Sequence, residues 1–316
     1  MKRLIVLVLV LMISVSIVFV THGQEVLAAE SGEIKLAIIL KTLANDHWVA
    51  MKEGALAEGK KLGVTVDVFA VASEGDIQQQ LQLFETALEK DYQGISISPI
   101  TPLNLVTAVV KANKRGIPVI NVDEGINLIA LKDAGGSVAA FIRTDNFSIG
   151  EQAADFVASK IPGGGEVVII EGMAGNTSGD DRRDGFKSKI ETYPEFKLVA
   201  SQPGDWDRIK ALDVATNMIN RYPNLKAIYC ANDTMALGAV QAVKNAKKTE
   251  EIIVVGTDGI PEAVKSVKAG EMAATIAQDP YNMGTMAVAI LVDIIKKNKT
   301  EADKFDMLIP SKLIEK

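Results

Sequence analysis

The chain has 316 residues, 48% of them hydrophobic and 23% charged, which is long enough for two globular domains and too apolar for a disordered protein. Its formal net charge is −6 and it carries no basic run, which argues against nucleic acid as a partner. The single cysteine, Cys230, excludes an internal disulfide and a thiolate metal cluster, and we expect neither a metal nor a cofactor.

The first residues predict an export signal. Lys2 and Arg3 precede an apolar run over residues 4–20, and small residues follow at Ala28 and Ala29, so residues 1–28 form a predicted signal peptide cleaved after Ala28. The run is also long enough to span a bilayer, so an uncleaved anchor is the alternative. Because no cysteine lies near the predicted cleavage site, we expect a free periplasmic protein rather than a lipoprotein.

From residue 33 onward, short β-branched runs alternate with amphipathic stretches of helical length, which is typical of an α/β protein with parallel sheets covered by helices. Apolar residues in 75–90 recur at three- and four-residue spacing, so one face of that helix is built to pack on a sheet. The first series has strand candidates at 36–40, 64–70, 94–98 and 118–121 and helix candidates at 46–62, 75–90 and 102–114.

A second series of similar size follows a looser segment at 125–136. Two such series predict two doubly wound lobes. The strand candidates of the second series are 140–143, 166–171, 196–201, 227–231, 252–256 and 272–277, and a helix candidate at 281–297 and an apolar piece at 305–309 close the chain.

Polar side chains follow almost every strand candidate. In open parallel sheets a ligand binds beyond the carboxyl ends of the strands, so these positions are candidates for a binding site. Most of them are Asn, Asp, Gln or Arg, whose paired hydrogen-bonding atoms suit vicinal hydroxyl groups. Trp48 and Trp206 also follow strand ends, and an indole ring suits the apolar face of a pyranose.

Each of these residues also has a purely structural interpretation. Asn and Asp are favoured as helix N-caps, and the two tryptophans could belong to the core. Asp233 is the better cap candidate at its strand end, which would leave Asn232 to reach the cleft. The structural alternatives are caps for Asn45, Asp123, Asn232 and Asp258, a solvated pair for Arg182 and Arg183, an exposed strand end for Lys41, a loop residue for Asn176 and a polar hinge residue for Gln278.

Several motifs carry a resemblance to a known family. The segments 232–238 and 255–259 and the Arg182-Arg183 pair resemble the ribose/galactose-type periplasmic sugar-binding proteins and the related sugar-responsive repressors, over nearly all of the chain after the predicted signal. Finer motifs at 41–43 with Trp48, 73–76, 80–84, 205–208 and 230–236 resemble the allose-binding members of that family.

The resemblance implies two lobes joined by a three-stranded hinge, with an N-terminal lobe of residues 33–137 plus 279–304 and a C-terminal lobe of residues 138–278 plus 305–316. It also implies a monomeric binding protein of an ABC importer, which holds D-allose or a related hexose or pentose such as ribose in the interlobe cleft. Its partners would be the permease and ATPase complex and also a chemoreceptor. The implied ligand-binding residues are Lys41, Asn45, His47, Trp48, Asp123, Glu124, Asn176, Arg182, Trp206, Asn232, Asp258 and Gln278.

One position departs from the family pattern. His47 stands where the family has another aromatic residue, and Asp46 stands where the allose-binding members have a proline. A histidine can still stack on a sugar, but it adds a titratable group, so the identity of the sugar stays open.

Other functional classes fit the sequence less well. A repressor would need a basic helix-turn-helix before the first strand, where this chain has its predicted signal. An enzyme would need an activated nucleophile, a metal cluster or a phosphate loop, and His47 is the only histidine after the signal. A glycosidase with a carboxylate pair and a receptor that serves chemotaxis alone remain as alternatives.

Overall fold

The computed structural model describes residues 33–316, so the predicted signal peptide and its cleavage site lie outside the described residues. In residues 33–316, no helix is both long enough and apolar enough to cross a membrane. Strands and helices alternate along this range, as the sequence predicts.

The elements are numbered in chain order. The first part contains β1 (Lys35–Thr42), α1 (Asp46–Leu62), β2 (Thr65–Val71), α2 (Ile77–Leu88), β3 (Gly94–Ile97), α3 (Val106–Lys114), β4 (Val119–Val122), α4 (Leu128–Asp133) and β5 (Ala140–Thr144). The second part contains α5 (Asn146–Lys160), β6 (Gly165–Glu171), α6 (Thr177–Ile190), β7 (Phe196–Pro203), α7 (Arg208–Arg221), β8 (Leu225–Cys230), α8 (Asp233–Asn245), β9 (Ile253–Asp258), α9 (Pro261–Ala269) and β10 (Ala274–Ala277). The chain closes with α10 (Pro280–Lys296), β11 (Asp306–Ile309) and β12 (Lys312–Glu315).

The strands form two six-stranded sheets, one in each of two α/β lobes. The first sheet has the order β11-β5-β4-β3-β1-β2, and all its pairs are parallel. The second has the order β12-β10-β9-β8-β6-β7, with β12 as its antiparallel edge. Helices cover both faces of each sheet, so β1 is buried at every position after its first, and its sequence is apolar almost throughout rather than alternating.

Three segments of chain cross between the sheets. They lie between β5 and α5, between β10 and α10, and between β11 and β12. The three-stranded hinge and the two doubly wound lobes predicted from the sequence are therefore confirmed.

The predicted lobe boundaries differ from the sheets in two places. Residues 138–144 and 305–309 were assigned to the C-terminal lobe, whereas β5 and β11 both pair within the first sheet. The lobes therefore exchange near residues 145, 278–279 and 310–311. An apolar run predicts that a strand exists, but its pairing depends on contacts made far along the chain, which local periodicity does not contain.

Two short elements were missing from the sequence prediction. The six-residue helix α4 lies in the segment that looked like a loop, and it begins because the Asn127 side chain accepts a hydrogen bond from Ala130 N. The strand β12 has only four residues, and none of them is buried, so it shows no apolar run.

The helices α1 and α10 approach closely enough that two glycines are required at their contact. A Cβ added to Gly54 would lie 2.0 Å from Tyr281 O, and one added to Gly284 would lie 2.0 Å from Met51 O. Since both collisions are with backbone atoms, a side chain at either position would push the helices apart.

We therefore expect Gly284→Ala to lower the free energy of unfolding. Alanine favours a helix over glycine by about 1 kcal/mol, but overpacking costs roughly 1–3 kcal/mol, and here the backbone itself must move. Urea denaturation of the variant would measure the change. Gly163→Ala is the control, because a Cβ added to Gly163 would have nothing within 4 Å; equal stability of the two variants would contradict the packing argument.

Candidate ligand-binding cleft

The carboxyl ends of the two sheets meet around a small pocket with a cavity volume of about 30 Å³. Most of the predicted site residues line it, from both lobes. They are Lys41, Asn45, His47, Trp48 and Asp123 from the first lobe and Arg182, Trp206, Asn232, Asp258 and Gln278 from the second. Glu74 and Ser178 also line the pocket, although sequence reasoning did not select them as binding residues. Glu74 follows β2, so the strand-end rule applied there would have found it.

Trp48 is held in a fixed orientation by its polar edge. Its Nε1 donates to Glu74 Oε1 at 3.0 Å, and Lys41 Nζ lies 5.5 Å from the ring centroid. The ring also packs with Met51 and Ala55 in the core of the first lobe. The core interpretation and the site interpretation of this residue therefore both apply.

Trp206 sits in a tight turn on the opposite lobe. Asp205 and Trp206 have φ of 53° and 63°, in the left-handed region, and a Cβ at Gly172 would lie 2.1 Å from the indole. Its Nε1 donates to Asn176 Oδ1 at 2.7 Å. The ring packs against the core of the second lobe and also lines the pocket, so its pocket side is available for apolar contact with a ligand.

Lys41 is a buried cation between two carboxylates. Its Nζ lies 3.2 Å from Glu124 Oε2 and 3.6 Å from Glu74 Oε2. Burial alone would lower the pKa of Lys41, but Glu124, Glu74 and Asp123 outweigh it and raise the pKa above its usual value. The interpretation of Lys41 as an exposed strand end is therefore wrong.

His47 lies between carboxylates of both lobes. Its Nε2 is 3.0 Å from Asp123 Oδ2, and its Nδ1 is 3.9 Å from Asp258 Oδ1. Burial opposes the charged imidazolium, but the Asp123 carboxylate, its hydrogen bond and Asp258 together raise the pKa of His47, against a smaller opposing effect of Arg182. Burial also opposes the charged form of Asp123 and by itself would raise its pKa. The positive charges of His47, Lys41 and Arg182 outweigh burial and lower the pKa of Asp123 below its usual range.

Arg182 organises the second-lobe side of the pocket. Its Nε donates to Asn146 Oδ1 at 2.8 Å and its Nη1 donates to Ala231 O at 2.7 Å, with Asp258 Oδ1 at 3.4 Å. Gln278 Nε2 donates to the same Asp258 oxygen at 2.8 Å. Arg182 is therefore a buried guanidinium bonded through its Nε and Nη1, and not half of a solvated surface pair.

Some of the residues interpreted as helix N-caps do cap a helix, and others do not. Asn45 and Asn232 do cap α1 and α8, accepting from His47 N and Met235 N, while they also line the pocket. Asp233 was expected to be the cap of α8, and this is wrong: its carboxylate accepts from Gly259 N and Ile260 N instead. Asp123 and Asp258 cap no helix in the described residues.

Both of these aspartates have a backbone in the left-handed region, with φ of 66° for Asp123 and 118° for Asp258. Such conformations are unfavourable for residues other than glycine and persist where the surroundings enforce them, commonly at functional sites. Two buried pocket atoms, His47 Nδ1 and Gln278 Oε1, have no hydrogen-bond partner in residues 33–316. Buried polar atoms are normally paired, so these two mark places where a polar ligand would bond.

The two remaining predicted residues, Glu124 and Asn176, do not line the pocket. Both are buried behind it and make hydrogen bonds across the cleft, Glu124 to Thr177 and Ser178 and Asn176 to Ile100. In residues 33–316, no group of three or more His, Cys, Asp or Glu side chains is arranged to hold a metal ion.

Comparison with known proteins gives consistent matches. A family model for the periplasmic binding protein domain matches residues 36–299. The chain is 55% identical over 264 residues to the D-allose-binding periplasmic protein of Escherichia coli, covering 83% of this chain and 85% of that protein. It is 36% identical over 280 residues to the ribose import binding protein of Haemophilus influenzae, covering 89% of this chain and 92% of that protein.

A solved structure also matches closely. An ABC transporter periplasmic solute binding protein from Actinobacillus succinogenes, with bound D-allose, superimposes with a TM-score of 0.85 and 32% sequence identity. The match covers 90% of this chain and 98% of that chain.

The contact between His47 and Asp123 predicts a pH-dependent stability. Because the pKa of His47 is raised in the folded protein, its contribution is complete below the unfolded value of about 6.5 and is lost as the pH rises through the folded value. Because the pKa of Asp123 is lowered, its contribution is present above about 3.9 and is lost as the pH falls through the folded value.

Urea unfolding of the wild type and of His47→Phe between about pH 5.5 and pH 9 tests this. The stability advantage of the wild type should shrink as the pH rises. The charged groups that face the ring are Asp123, Asp258 and Arg182. His47 is the only histidine in residues 33–316, so the variant removes the only imidazole of this part of the chain. A constant difference across the range would mean that folding leaves the pKa of His47 unchanged, and an advantage that grows with pH would mean that folding lowers it; either result would contradict the prediction.

Proposed function

The chain belongs to the periplasmic binding protein family, and on that premise we propose that it is the sugar receptor of an ABC importer, closing on one monosaccharide and presenting it to the permease. The relatives named for D-allose and ribose are binding proteins and not enzymes, in agreement with the prediction of a non-catalytic receptor. The repressor and glycosidase alternatives find no support among them.

The observation that carries the proposal is the composition of the pocket. Two indole rings from opposite lobes, Trp48 and Trp206, stand beside carboxylate, amide and guanidinium groups that all point to one small space. Hydroxyl groups that leave water need each hydrogen bond replaced, and these side chains supply paired donors and acceptors. The rings supply the contact for the apolar face of the sugar.

D-allose is the first ligand to test, because a relative with 55% identity is named for it and a structural neighbour holds it. Ribose is the second, since more distant relatives are named for ribose import. His47 is the residue that separates this pocket from the family pattern, and its contact with Asp123 changes the hydrogen-bonding groups presented to the sugar.

We further propose that the mature protein works in the periplasm, following the relatives named as periplasmic. The signal peptide, cleavage after Ala28, the monomeric state and the chemoreceptor partner stay predictions from the sequence. Mass spectrometry of the mature protein recovered from the periplasm would test the cleavage site directly.

Calorimetric titration with D-allose, ribose, glucose and galactose tests the ligand. We expect saturable binding of D-allose at one site per chain, with ribose weaker. Removing the carboxylate in Asp258→Ala should abolish tight binding, because it leaves Arg182 and Gln278 without their shared partner. Circular dichroism checks that this variant folds; absence of heat with every sugar of the panel for the wild type would refute the proposal.

The stacking role of the indoles has its own test. Trp206→Ala and Trp48→Ala should each weaken sugar binding by about 2 kcal/mol or more, near 30-fold, as buried aromatic anchors do. Ile209→Ala is the matched control, since Ile209 is an exposed apolar side chain three positions from Trp206. If the tryptophan variants lost only thermal stability and bound as tightly as the control, both rings would belong to the core alone.

A further inference from the structure

We infer that Glu124 and Asn176 form a latch between the lobes, which stabilises the closed protein and positions Lys41 and Trp206 without contacting the sugar. The latch is defined by Glu124 and Ile100 on the first lobe and by Asn176, Thr177 and Ser178 on the second. This inference rests on the proposed function, in which closure accompanies sugar binding, and it gives the two residues a role different from the one predicted from the sequence.

Glu124 bonds to the start of a helix that belongs to the other lobe. Its carboxylate is fully buried; Oε1 accepts from Thr177 N at 2.6 Å, and Oε2 accepts from Ser178 Oγ at 2.7 Å. Thr177 and Ser178 are the first two residues of α6, where unpaired amides give the helix end a partial positive charge. The side chain of Asn176, the N-cap of this helix, accepts no capping bond from it. Glu124 therefore supplies from across the cleft the acceptor that α6 lacks on its own lobe.

Asn176 uses its side chain for a second bridge. Its Nδ2 donates to Ile100 O of the first lobe at 2.6 Å, while its Oδ1 accepts from Trp206 Nε1 on its own lobe at 2.7 Å. The acceptor is fixed in place, because Ile100 N donates to the buried side chain of Gln80. The orientation of the Trp206 ring is therefore coupled to contact between the lobes.

The first-lobe side of the latch is equally rigid. Asn121 Nδ2 donates to Glu124 O at 2.7 Å, and Asn121 Oδ1 accepts from Ile126 N at 2.7 Å, which fixes the turn after β4. Glu124 Oε2 also accepts from Lys41 Nζ at 3.2 Å. Ser178 of the latch also lines the pocket, and the latch contacts one further pocket residue on each lobe, Lys41 and Trp206, which are positioned when it forms.

The partners of each bond lie on opposite lobes, so the latch forms only when the lobes close. A sugar enclosed by the closed lobes leaves after they open, so a contact that favours the closed form slows its release. Association begins with the open form and does not involve the latch. Loss of the latch should therefore appear in the dissociation rate and hardly at all in the association rate.

Stopped-flow tryptophan fluorescence with D-allose measures both rates. For Glu124→Gln we expect dissociation to be faster by roughly tenfold or more, the effect of losing a buried hydrogen bond to a charged group. For Asn176→Ala we expect a similar effect, because Ile100 O and Trp206 Nε1 both lose their partner. Association should stay within about twofold of the wild type for both. Glu262→Gln is the matched control: it also removes a carboxylate from the first turn of a helix, α9, but its Arg208 partner belongs to the same lobe. Unchanged dissociation in both latch variants would overturn the inference.

A distance measurement separates a latch from a direct sugar contact. Spin labels at Gln78→Cys and Gln202→Cys, both exposed, follow closure without sugar and with saturating D-allose. Gln78 is the second residue of α2, the helix that follows β2, and Gln202 lies within β7. The strands β2 and β7 are the sheet edges opposite the hinge strands, where closure moves the lobes most. Cys230 is fully buried and stays unlabelled.

The latch requires that Glu124→Gln lower the closed fraction in at least one of the two samples. Faster dissociation with unchanged distances in both samples would make Glu124 a direct sugar ligand and overturn the latch. If no sugar binds while the closed fraction of the sugar-free protein still falls in the variants, the latch stands and the proposed function fails. Distances that stay open for every protein in both samples would overturn both.

Discussion

The cleft depends on a balance of buried charge. Six ionisable side chains are buried where the lobes meet, and an unpaired buried charge costs several kcal/mol. They are the potential cations Lys41, His47 and Arg182 and the anions Asp123, Glu124 and Asp258. With the imidazole charged, these six charges cancel, and the partly exposed Glu74, 3.6 Å from Lys41, adds one negative charge to the pocket lining. Each lobe pairs its own charges, Lys41 with Glu124 and His47 with Asp123 on the first and Arg182 with Asp258 on the second. Closure adds a contact between the two sets, because His47 Nδ1 lies 3.9 Å from Asp258 Oδ1.

Because buried polar groups need partners, several pocket side chains are held in place by hydrogen bonds to neighbouring side chains. Glu74 orients one indole and Asn176 the other, and Asp258 is shared by Arg182 and Gln278. A site of this kind recognises hydroxyl positions through groups that cannot rotate freely, so an epimer with one hydroxyl reversed leaves a buried polar atom unpaired. That penalty of about 1–3 kcal/mol per atom is how such a pocket discriminates between sugars of equal size.

Most of the pocket residues could be predicted from the sequence, for a physical reason. Parallel strands place their carboxyl ends together, so listing the residues after each apolar run found Lys41, His47, Arg182 and most other pocket residues without any structure. The direction of each side chain was not accessible. Asp123 and Glu124 are neighbours, yet the left-handed backbone of Asp123 helps turn one side chain to the pocket and the other to α6. The pairing of β5 and β11 was also beyond local pattern, since it depends on contacts between residues about 160 positions apart.

The close contact between α1 and α10 bears on the order in which the protein folds. The first sheet has β11 as its edge strand, and the core of the first lobe includes side chains of α10. The elements that begin at position 35 therefore pack with elements that end at position 309. Each sheet has five of its six strands in one continuous range, residues 35–144 for the first and 165–277 for the second, but the first lobe also needs α10, which ends at Lys296. The core of the first lobe is therefore completed only when nearly the whole chain is present, whereas the buried side chains of the second lobe's two clusters all lie within residues 149–276.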